Sequence, residues 1–106
     1  MKTNAIRILE SKKIAHSTAE YHYNEDDLNA VTVALSIGAP PETVFKTLVA
    51  RSDRGEINVF LIPGNFELNL KKAAVCANAK SIEMLKVREL LSVTGYIRGG
   101  CSPIGM

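Results

Sequence analysis

Lys46 is the residue whose position in the sequence most directly suggests chemistry. It lies within residues 44–51, a β-branched and apolar-rich run that is typical of a strand. Strand alternation puts Lys46 on the same face as Leu48 and Ala50, away from a solvated polar face. An ammonium held in such a cleft would bind an anion or a polarised carbonyl. The alternative is that the alkyl stem packs there while the charge reaches water at the sheet edge.

A glycine-rich segment, residues 94–105, is the second candidate. It contains four glycines and a proline. Glycine lets a ligand approach the main chain closely, so such a loop can present N–H groups to an anion, although a structural turn explains it equally well. The spacing matches neither the Walker pattern nor the dinucleotide GxGxxG pattern. Cys101 and Ser102 are weak candidates for a nucleophile, because no histidine is near them in the sequence.

Net charge alone does not identify a partner. The 106 residues carry 13 Lys and Arg against 11 Asp and Glu, a net charge of +2 that is far from a strongly basic balance. The basic excess lies in the last third of the chain, where it either forms a solvated surface or meets phosphate. Its members there are Lys71, Lys72, Lys80, Lys86, Arg88 and Arg98.

Hydrophobic periodicity and turn residues predict the elements that must position these groups. Helices alternate with extended runs, and neither a repeat nor a linker is visible. The predicted elements are a helix capped by Thr3 or Asn4 that ends near Lys12 or Lys13, a short strand at residues 14–21, a helix from Asp26-Asp27 to Gly38, a hairpin of residues 44–51 and 56–62, a helix capped by Asn69, a short strand at residues 81–85, and a helix that includes Val87, Leu90 and Leu91.

Two packing expectations concern the sheet. The predicted hairpin is apolar on both faces, so it is expected to lie inside the sheet and to be covered on each side. In the third helix, Leu70, Ala73, Ala74 and Ala77 form a narrow apolar stripe. Small alanines allow that helix to pack closely. The predicted fold is α/β (α+β), a mixed sheet with helices on its faces.

Length and composition, with 46% hydrophobic and 23% charged residues, predict one globular domain over residues 1–106. The longest uncharged stretch, residues 28–41, is shorter than the ~20 residues of a membrane span. No signal peptide is recognisable, so a cytoplasmic location without membrane contact is expected. No metal-ligand spacing and no disulfide framework is indicated by Cys76, Cys101, His16 and His22.

Three motifs carry a resemblance to a known family. In their order and spacing they resemble the YbaK/EbsC family of aminoacyl-tRNA editing proteins, and the last motif is most similar to the branch that deacylates cysteine mischarged on proline tRNA. Residues 5–21 are similar to the family as well. The motifs are Gly38-Ala39-Pro40-Pro41-Glu42-Thr43-Val44-Phe45-Lys46-Thr47-Leu48-Val49, Leu68-Asn69-Leu70-Lys71-Lys72-Ala73-Ala74, and Thr94-Gly95-Tyr96 followed by Gly99-Gly100-Cys101-Ser102-Pro103-Ile104-Gly105.

The resemblance implies a fold, an activity and a site. The fold is a mostly antiparallel sheet or partial barrel with surrounding helices, related to the editing domain inserted in bacterial prolyl-tRNA synthetases. The activity is trans-editing, the hydrolysis of the ester between a wrong amino acid and tRNA, with Cys-tRNA(Pro) as the first substrate. No metal or organic cofactor is implied, and the thiol of the substrate attacks its own ester carbonyl. The implied site has Lys46 as its catalytic residue and Tyr21, Thr47, Gly99, Gly100, Ser102 and Pro103 as substrate-binding residues.

The implied partners are the aminoacylated acceptor end of tRNA and a prolyl-tRNA synthetase that helps delivery. Lys71, Lys72 and Arg98 are the basic residues expected to contact the tRNA. Family chains continue beyond the last motif, so the domain is expected to be C-terminally truncated, with a homodimer as one way to cover the exposed sheet. Two other interpretations stay open. One is a non-catalytic tRNA- or synthetase-binding protein of the same fold, inactive because truncated, and the other is a small anion-binding module.

Overall fold

The structure, a computed structural model, describes residues 3–20, 29–97 and 101–106. These residues contain four α-helices and three strands. The elements are α1 (Asn4–Ser11), α2 (Ala30–Ile37), a 3-10 turn (Pro41–Thr43), β1 (Phe45–Ser52), β2 (Ile57–Pro63), α3 (Leu70–Cys76), β3 (Ile82–Met84) and α4 (Val87–Thr94).

β1 is the central strand of the sheet. The strand order is β2-β1-β3, and both pairings are antiparallel. β2 pairs with β1 from Phe45 opposite Pro63 to Arg51 opposite Ile57, whereas β3 pairs only with the last three residues of β1. Within the described residues the sheet is therefore open beside the first half of β1. The predicted α+β fold with a mostly antiparallel sheet is confirmed.

Ser52 holds the turn of the β1–β2 hairpin. Its Oγ accepts hydrogen bonds from the main-chain N–H groups of Arg54 and Glu56, at 3.3 and 3.1 Å. Its carbonyl accepts from the N–H of Gly55, which takes a φ of 82° that favours glycine. These bonds satisfy the hydroxyl, which explains why a serine can be buried here. The hairpin predicted around residues 52–55 is confirmed.

Side-chain caps start the first three helices. The side chains of Thr3, Asn29 and Asn69 accept from N–H groups in the first turn at 3.2, 2.8 and 3.1 Å. α2 ends at Gly38, whose left-handed conformation (φ 71°) stops the helix. The predicted caps at Thr3 and Asn69 and the predicted stop at Gly38 are confirmed.

The start of the second helix differs from its prediction. The described helix begins at Ala30, behind the Asn29 cap, because the amide oxygen of Asn29 satisfies the N–H of Thr32. Asp26 and Asp27, where the helix was predicted to begin, lie outside the described residues.

A core of small residues joins α3 to the sheet. Ala50 of β1, Ala73 and Ala74 of α3, and Ile82 of β3 are buried together. Because alanine ends at its Cβ, the helix can approach the strand closely. The predicted alanine stripe is confirmed at its centre. The partly buried side chains packed around this core are Phe60, Leu68, Ala77 and Ala79.

Two expectations about extended segments are wrong. Residues 14–20 form no strand and are exposed throughout, because their Thr content supplies propensity but no described strand pairs with them. The prediction of a hairpin covered on each side is also wrong for β2, although Val49 on the outer face of β1 is buried. β2 lies at the edge of the described sheet, and Ile57, Val59 and Leu61 on its outer face are between 40% and 50% exposed. The apolar character of a strand face does not by itself show whether another element covers that face.

Residues 3–20, 29–97 and 101–106 contain neither a membrane-spanning helix nor a metal-binding cluster. No helix there has the length and apolar character to cross a bilayer. No group of three or more His, Cys, Asp or Glu side chains there is arranged to hold a metal ion. Both cysteines are free thiols, Cys76 exposed and Cys101 half-buried.

Gly64 follows the last residue of β2 and packs against Ala30 of α2. A Cβ built on Gly64 would lie 2.6 Å from the Cβ of Ala30 and 2.7 Å from the carbonyl oxygen of Val44. Because the neighbours belong to a helix and to main chain, we expect Gly64→Ala to lower the free energy of unfolding by about 1–3 kcal/mol, measured in urea. The adjacent exposed control, Asn65→Ala, should change it by less than about 0.5 kcal/mol. Equal stability of Gly64→Ala and the wild type would contradict this close contact.

Asp53 ties the hairpin turn to the segment before β3. Its Oδ1 accepts from the N–H groups of Ser81 at 3.3 Å and Lys80 at 3.0 Å, and the Ser81 hydrogen bond is the main cause that lowers the pKa of this carboxyl below its ordinary 3.8. A pKa lowered by folding stabilises the folded state above the unfolded-state pKa, and this contribution is lost as the pH falls through the folded-state pKa.

The variant Asp53→Asn keeps an acceptor oxygen but removes the titrating charge. We therefore expect the stability advantage of the wild type over Asp53→Asn to shrink as the pH is lowered from about 5 to about 3. Urea midpoints of both proteins across this range measure the effect. An advantage that stays constant or grows toward acid would contradict the assigned direction of the pKa shift.

Candidate functional site

Lys46 is the second residue of β1 and lies opposite Ile62 of β2. Alternation along the strand puts its side chain on the face that carries Leu48 and Ala50. That face packs against α3 through the contacts of Ala50. The face predicted for Lys46 is thus the one observed, and it is the inner face of the sheet.

The ammonium of Lys46 stands apart from the other charges that the structure describes. Every other lysine in the described ranges is exposed, whereas Lys46 is half-buried. Arg51, also half-buried, has a counter-charge, because its Nη1 lies 3.0 Å from Oε2 of Glu89. The Lys46 side chain forms no ion pair or hydrogen bond with another described residue. A partly desolvated cation without a counter-charge is suited to stabilise an anion or a developing oxyanion.

The main chain leading into Lys46 is held from two sides. The 3-10 turn before β1 is closed by the N–H of Val44, which donates to the Pro41 carbonyl at 3.2 Å. The Val44 carbonyl in turn accepts from the N–H of Gly64 at 2.7 Å, beside Ala30 of α2. The side chain of Lys46 therefore extends from a fixed backbone position.

Thr47 is half-buried and lies opposite Leu61 of β2. Alternation puts its side chain on the sheet face opposite to that of Lys46. The two residues can meet one ligand only if Thr47 contributes main-chain groups or if the ligand binds around the end of the sheet. The substrate-binding role of Thr47 stays a prediction.

The residues of the last motif gather around Thr94, at the end of α4. Thr94 Oγ1 donates to the carbonyl of Leu90 at 2.8 Å and accepts from the N–H of Tyr96 at 3.0 Å. The hydroxyl of Tyr96 donates to the carbonyl of Ile104 at 2.7 Å. Ser102 Oγ accepts from the N–H of Ile104 at 3.2 Å. The Thr-Gly-Tyr triplet therefore holds the segment 101–106 in place.

The other side of this segment rests on α1. A Cβ built on Gly105, which has a φ of 84°, would collide with the side chain of Ile8. Ser102 is half-buried in the segment and Pro103 is exposed. No described hydrogen bond joins either of them to Lys46. The other predicted site residues, Tyr21, Arg98, Gly99 and Gly100, lie outside the described residues.

Lys71 and Lys72 are exposed on the first turn of α3. The same helix buries Ala73 and Ala74 against the inner face of the sheet, the face of Lys46. The two lysines thus lie on the element that covers this face. Their predicted contact with tRNA stays a prediction.

A concavity lies at the far end of β1 from Lys46. It has a volume of about 540 Å³ and mixed charge, with Arg51, Glu83, Arg88 and Glu89 among its lining residues. Ser52, which lines this concavity, lies six residues along the strand from Lys46, a distance of roughly 20 Å. This depression is therefore separate from the candidate site at Lys46.

The sequence assigns Thr94 and Tyr96 no role beyond membership of the motif. In the structure they make the contacts that shape the segment 101–106. A hydroxyl residue on each side of Gly95, the glycine that ends α4, is the signal from which these contacts could have been inferred.

Comparison with solved structures shows the fold. The hypothetical protein APE2540 superposes with a TM-score of 0.79 at 19% identity, covering 92% of this chain and 63% of that one. A structure described as a trans-editing enzyme for prolyl-tRNA synthetase gives a TM-score of 0.76 at 24% identity, covering 99% of this chain and 68% of that one.

Comparison with sequences shows the family. A protein of Enterococcus faecalis named as the Cys-tRNA(Pro)/Cys-tRNA(Cys) deacylase EbsC is 48% identical over 105 residues, which are 99% of this chain and 64% of that protein. A proline–tRNA ligase of Shouchella clausii is 28% identical over 92 residues, 87% of this chain and 16% of the ligase. Residues 25–106 match the aminoacyl-tRNA editing domain. The chain belongs to the family of aminoacyl-tRNA editing domains.

Proposed function

We propose that this chain is an aminoacyl-tRNA deacylase that edits in trans, with Cys-tRNA(Pro) as its first substrate. The single observation that carries the proposal is the half-buried ammonium of Lys46, unpaired among the described residues, in a chain of this family. The name of the Enterococcus faecalis relative supports the choice of substrate. Such editing is needed because a synthetase pocket separates amino acids that differ by one methylene by only ~1–3 kcal/mol.

The proposed reaction uses the substrate's own thiol as nucleophile. The carbon–sulfur bond forms while the carbon–oxygen bond to the ribose breaks, the ribose oxygen takes up the thiol proton, and water then opens the cyclic thioester to free cysteine. Negative charge develops on the carbonyl oxygen during the attack. The Lys46 ammonium stabilises that charge or holds the phosphate or ribose end, so the protein supplies position and electrostatics.

The rest of the proposed site follows the family motifs. Ser102 and Pro103, together with Gly99 and Gly100, shape the pocket around the aminoacyl-adenosine end, while Tyr21 and Thr47 border it. In the described part, the support is the ordered segment that carries Ser102. Residues 1–106 act in this proposal as one editing domain.

The proposed partners are tRNA and a prolyl-tRNA synthetase. Lys71 and Lys72 are exposed on the helix that covers the face of Lys46, and Arg98 completes the proposed tRNA contact. A net charge of only +2 gives weak binding to tRNA, so the synthetase assists delivery. Similarity to part of a proline–tRNA ligase supports this pairing. An aminoacyl-tRNA substrate places the reaction in the cytoplasm.

We expect Lys46→Ala to lower the rate of cysteine release from Cys-tRNA(Pro) by about 10²-fold or more, because a preorganised positive charge is lost. The unfolding midpoint should stay close to that of the wild type, since the side chain has no described bonding partner. Lys12→Ala, at an exposed lysine beside α1, is the matched control and should release cysteine at the wild-type rate. Release of labelled cysteine, with Ala-tRNA(Pro) in parallel, measures the effect.

Each other outcome contradicts part of the proposal. Undiminished release by Lys46→Ala would remove Lys46 from the chemistry. A folded wild type that binds tRNA but releases nothing would contradict the deacylase and favour the non-catalytic binding protein. A wild type that neither binds nor alters tRNA would favour the anion-binding module.

We expect Lys71→Ala and Lys72→Ala to raise the KM for aminoacyl-tRNA and to leave kcat unchanged. Each substitution should reduce the slope of log affinity against log salt by about one, the effect of one lost phosphate contact. Filter binding to tRNA over a range of salt concentrations measures the slope, with Lys12→Ala as the control. A salt slope equal to that of the wild type would show that these lysines are only a solvated surface.

A further inference from the structure

The segment 101–106 has no regular secondary structure, yet both polar main-chain groups of Ile104 are bonded. Its carbonyl accepts from the hydroxyl of Tyr96 at 2.7 Å, and its N–H donates to Ser102 Oγ at 3.2 Å. Two bonds on opposite sides of one residue fix the orientation of its peptide groups. The conformation at Ser102 therefore depends on the hydroxyl of Tyr96, which lies eight residues before Ile104 in the chain.

Thr94 anchors the main chain of Tyr96, the residue that supplies this hydroxyl. Its Oγ1 donates to the Leu90 carbonyl in α4 and accepts from the N–H of Tyr96, at 2.8 and 3.0 Å. It also lies 3.9 Å from Sγ of Cys101, at the start of the segment. Because Gly95 ends α4 in the left-handed region (φ 81°), the chain turns back so that Tyr96 can reach Ile104.

The position of the segment is also limited on its far side by α1. Gly105 packs against Ile8 so closely that a Cβ at this position would collide with that side chain. The segment is therefore held between the end of α4 and the face of α1. A loop held on two sides can keep one conformation without secondary structure of its own.

The bonding of Ser102 defines what its hydroxyl can do. A serine hydroxyl has one proton to donate and two lone pairs that accept. Oγ accepts from the N–H of Ile104, and among the described residues no group accepts its proton, which can therefore be donated to a ligand. In the proposed site that acceptor is an oxygen of the aminoacyl-adenosine end.

We infer that Tyr96 and Thr94 are positioning residues, whose hydroxyls hold the segment 101–106 so that Ser102 donates to the substrate. This inference rests on the proposed deacylase function and deepens it. Neither residue is a catalytic residue, because both act through the segment and not on the reacting atoms.

The test compares variants that differ by a single hydroxyl or methyl group. Tyr96→Phe removes only the hydroxyl, Thr94→Val removes the hydroxyl while keeping the shape, and Thr94→Ser keeps the hydroxyl. The values of kcat and KM are measured at a temperature well below the unfolding midpoint of each variant. We expect Tyr96→Phe and Thr94→Val to lower kcat for cysteine release by about tenfold. KM should change little, and Thr94→Ser should restore the wild-type kcat.

Two further measurements separate positioning from a purely structural role. Ser52→Ala, expected to destabilise the hairpin turn at the far end of β1 from Lys46, should keep the wild-type kcat where it is folded. Amide hydrogen exchange at Ile104 should be faster in Tyr96→Phe than in the wild type.

Three results would overturn the inference. One is a loss of kcat that follows the unfolding midpoint in every variant, Ser52→Ala included. Another is an active wild type whose kcat is matched by Tyr96→Phe. This result would overturn the inference but not the proposed deacylase function. The third is a wild type that releases no cysteine, which overturns the proposed function together with the inference.

Discussion

The burial of Ala50 is the constraint on which the rest of the structure depends. Ala50 is fully buried against Ala73 and Ala74 of α3, and only a small side chain permits this approach. Because strand side chains alternate, a slip of one residue would bring Arg51 into this interface and turn Lys46 to the outer face. The core and the proposed site thus depend on the same register of β1.

The candidate site is built from parts that are stabilised separately. β1 supplies Lys46 at the end of its inner face, and α3 both covers this face and presents exposed lysines. The segment with Ser102 is held by the end of α4 and by α1. The main-chain groups of Ile104 in this segment are bonded to Tyr96 and Ser102 and not to a strand, so a motif without secondary structure keeps a defined shape. Its glycines and hydroxyls thus have structural tasks besides any contact with substrate.

Local chemistry was predictable from the sequence, and tertiary neighbours were not. The caps at Thr3 and Asn69 follow from side chains that bond within one turn, and the inner face of Lys46 follows from alternation alone. Coverage of an apolar strand depends on elements distant in the chain, so the exposed outer face of β2, with Val59, was missed. The bond from Tyr96 to Ile104 was missed for the same reason, since it spans an irregular loop.

The central claim is that the ammonium of Lys46 meets the aminoacyl end of the substrate. It is tested most directly by NMR of the lysine Nζ groups during titration with a cysteinyl-adenosine analogue whose ester is replaced by an amide. If the Lys46 ammonium binds this end of the substrate, its signal shifts until the protein is saturated, while the signal of Lys12 stays unchanged. A saturating analogue that shifts other signals of the protein but leaves the Lys46 ammonium unchanged would contradict the account.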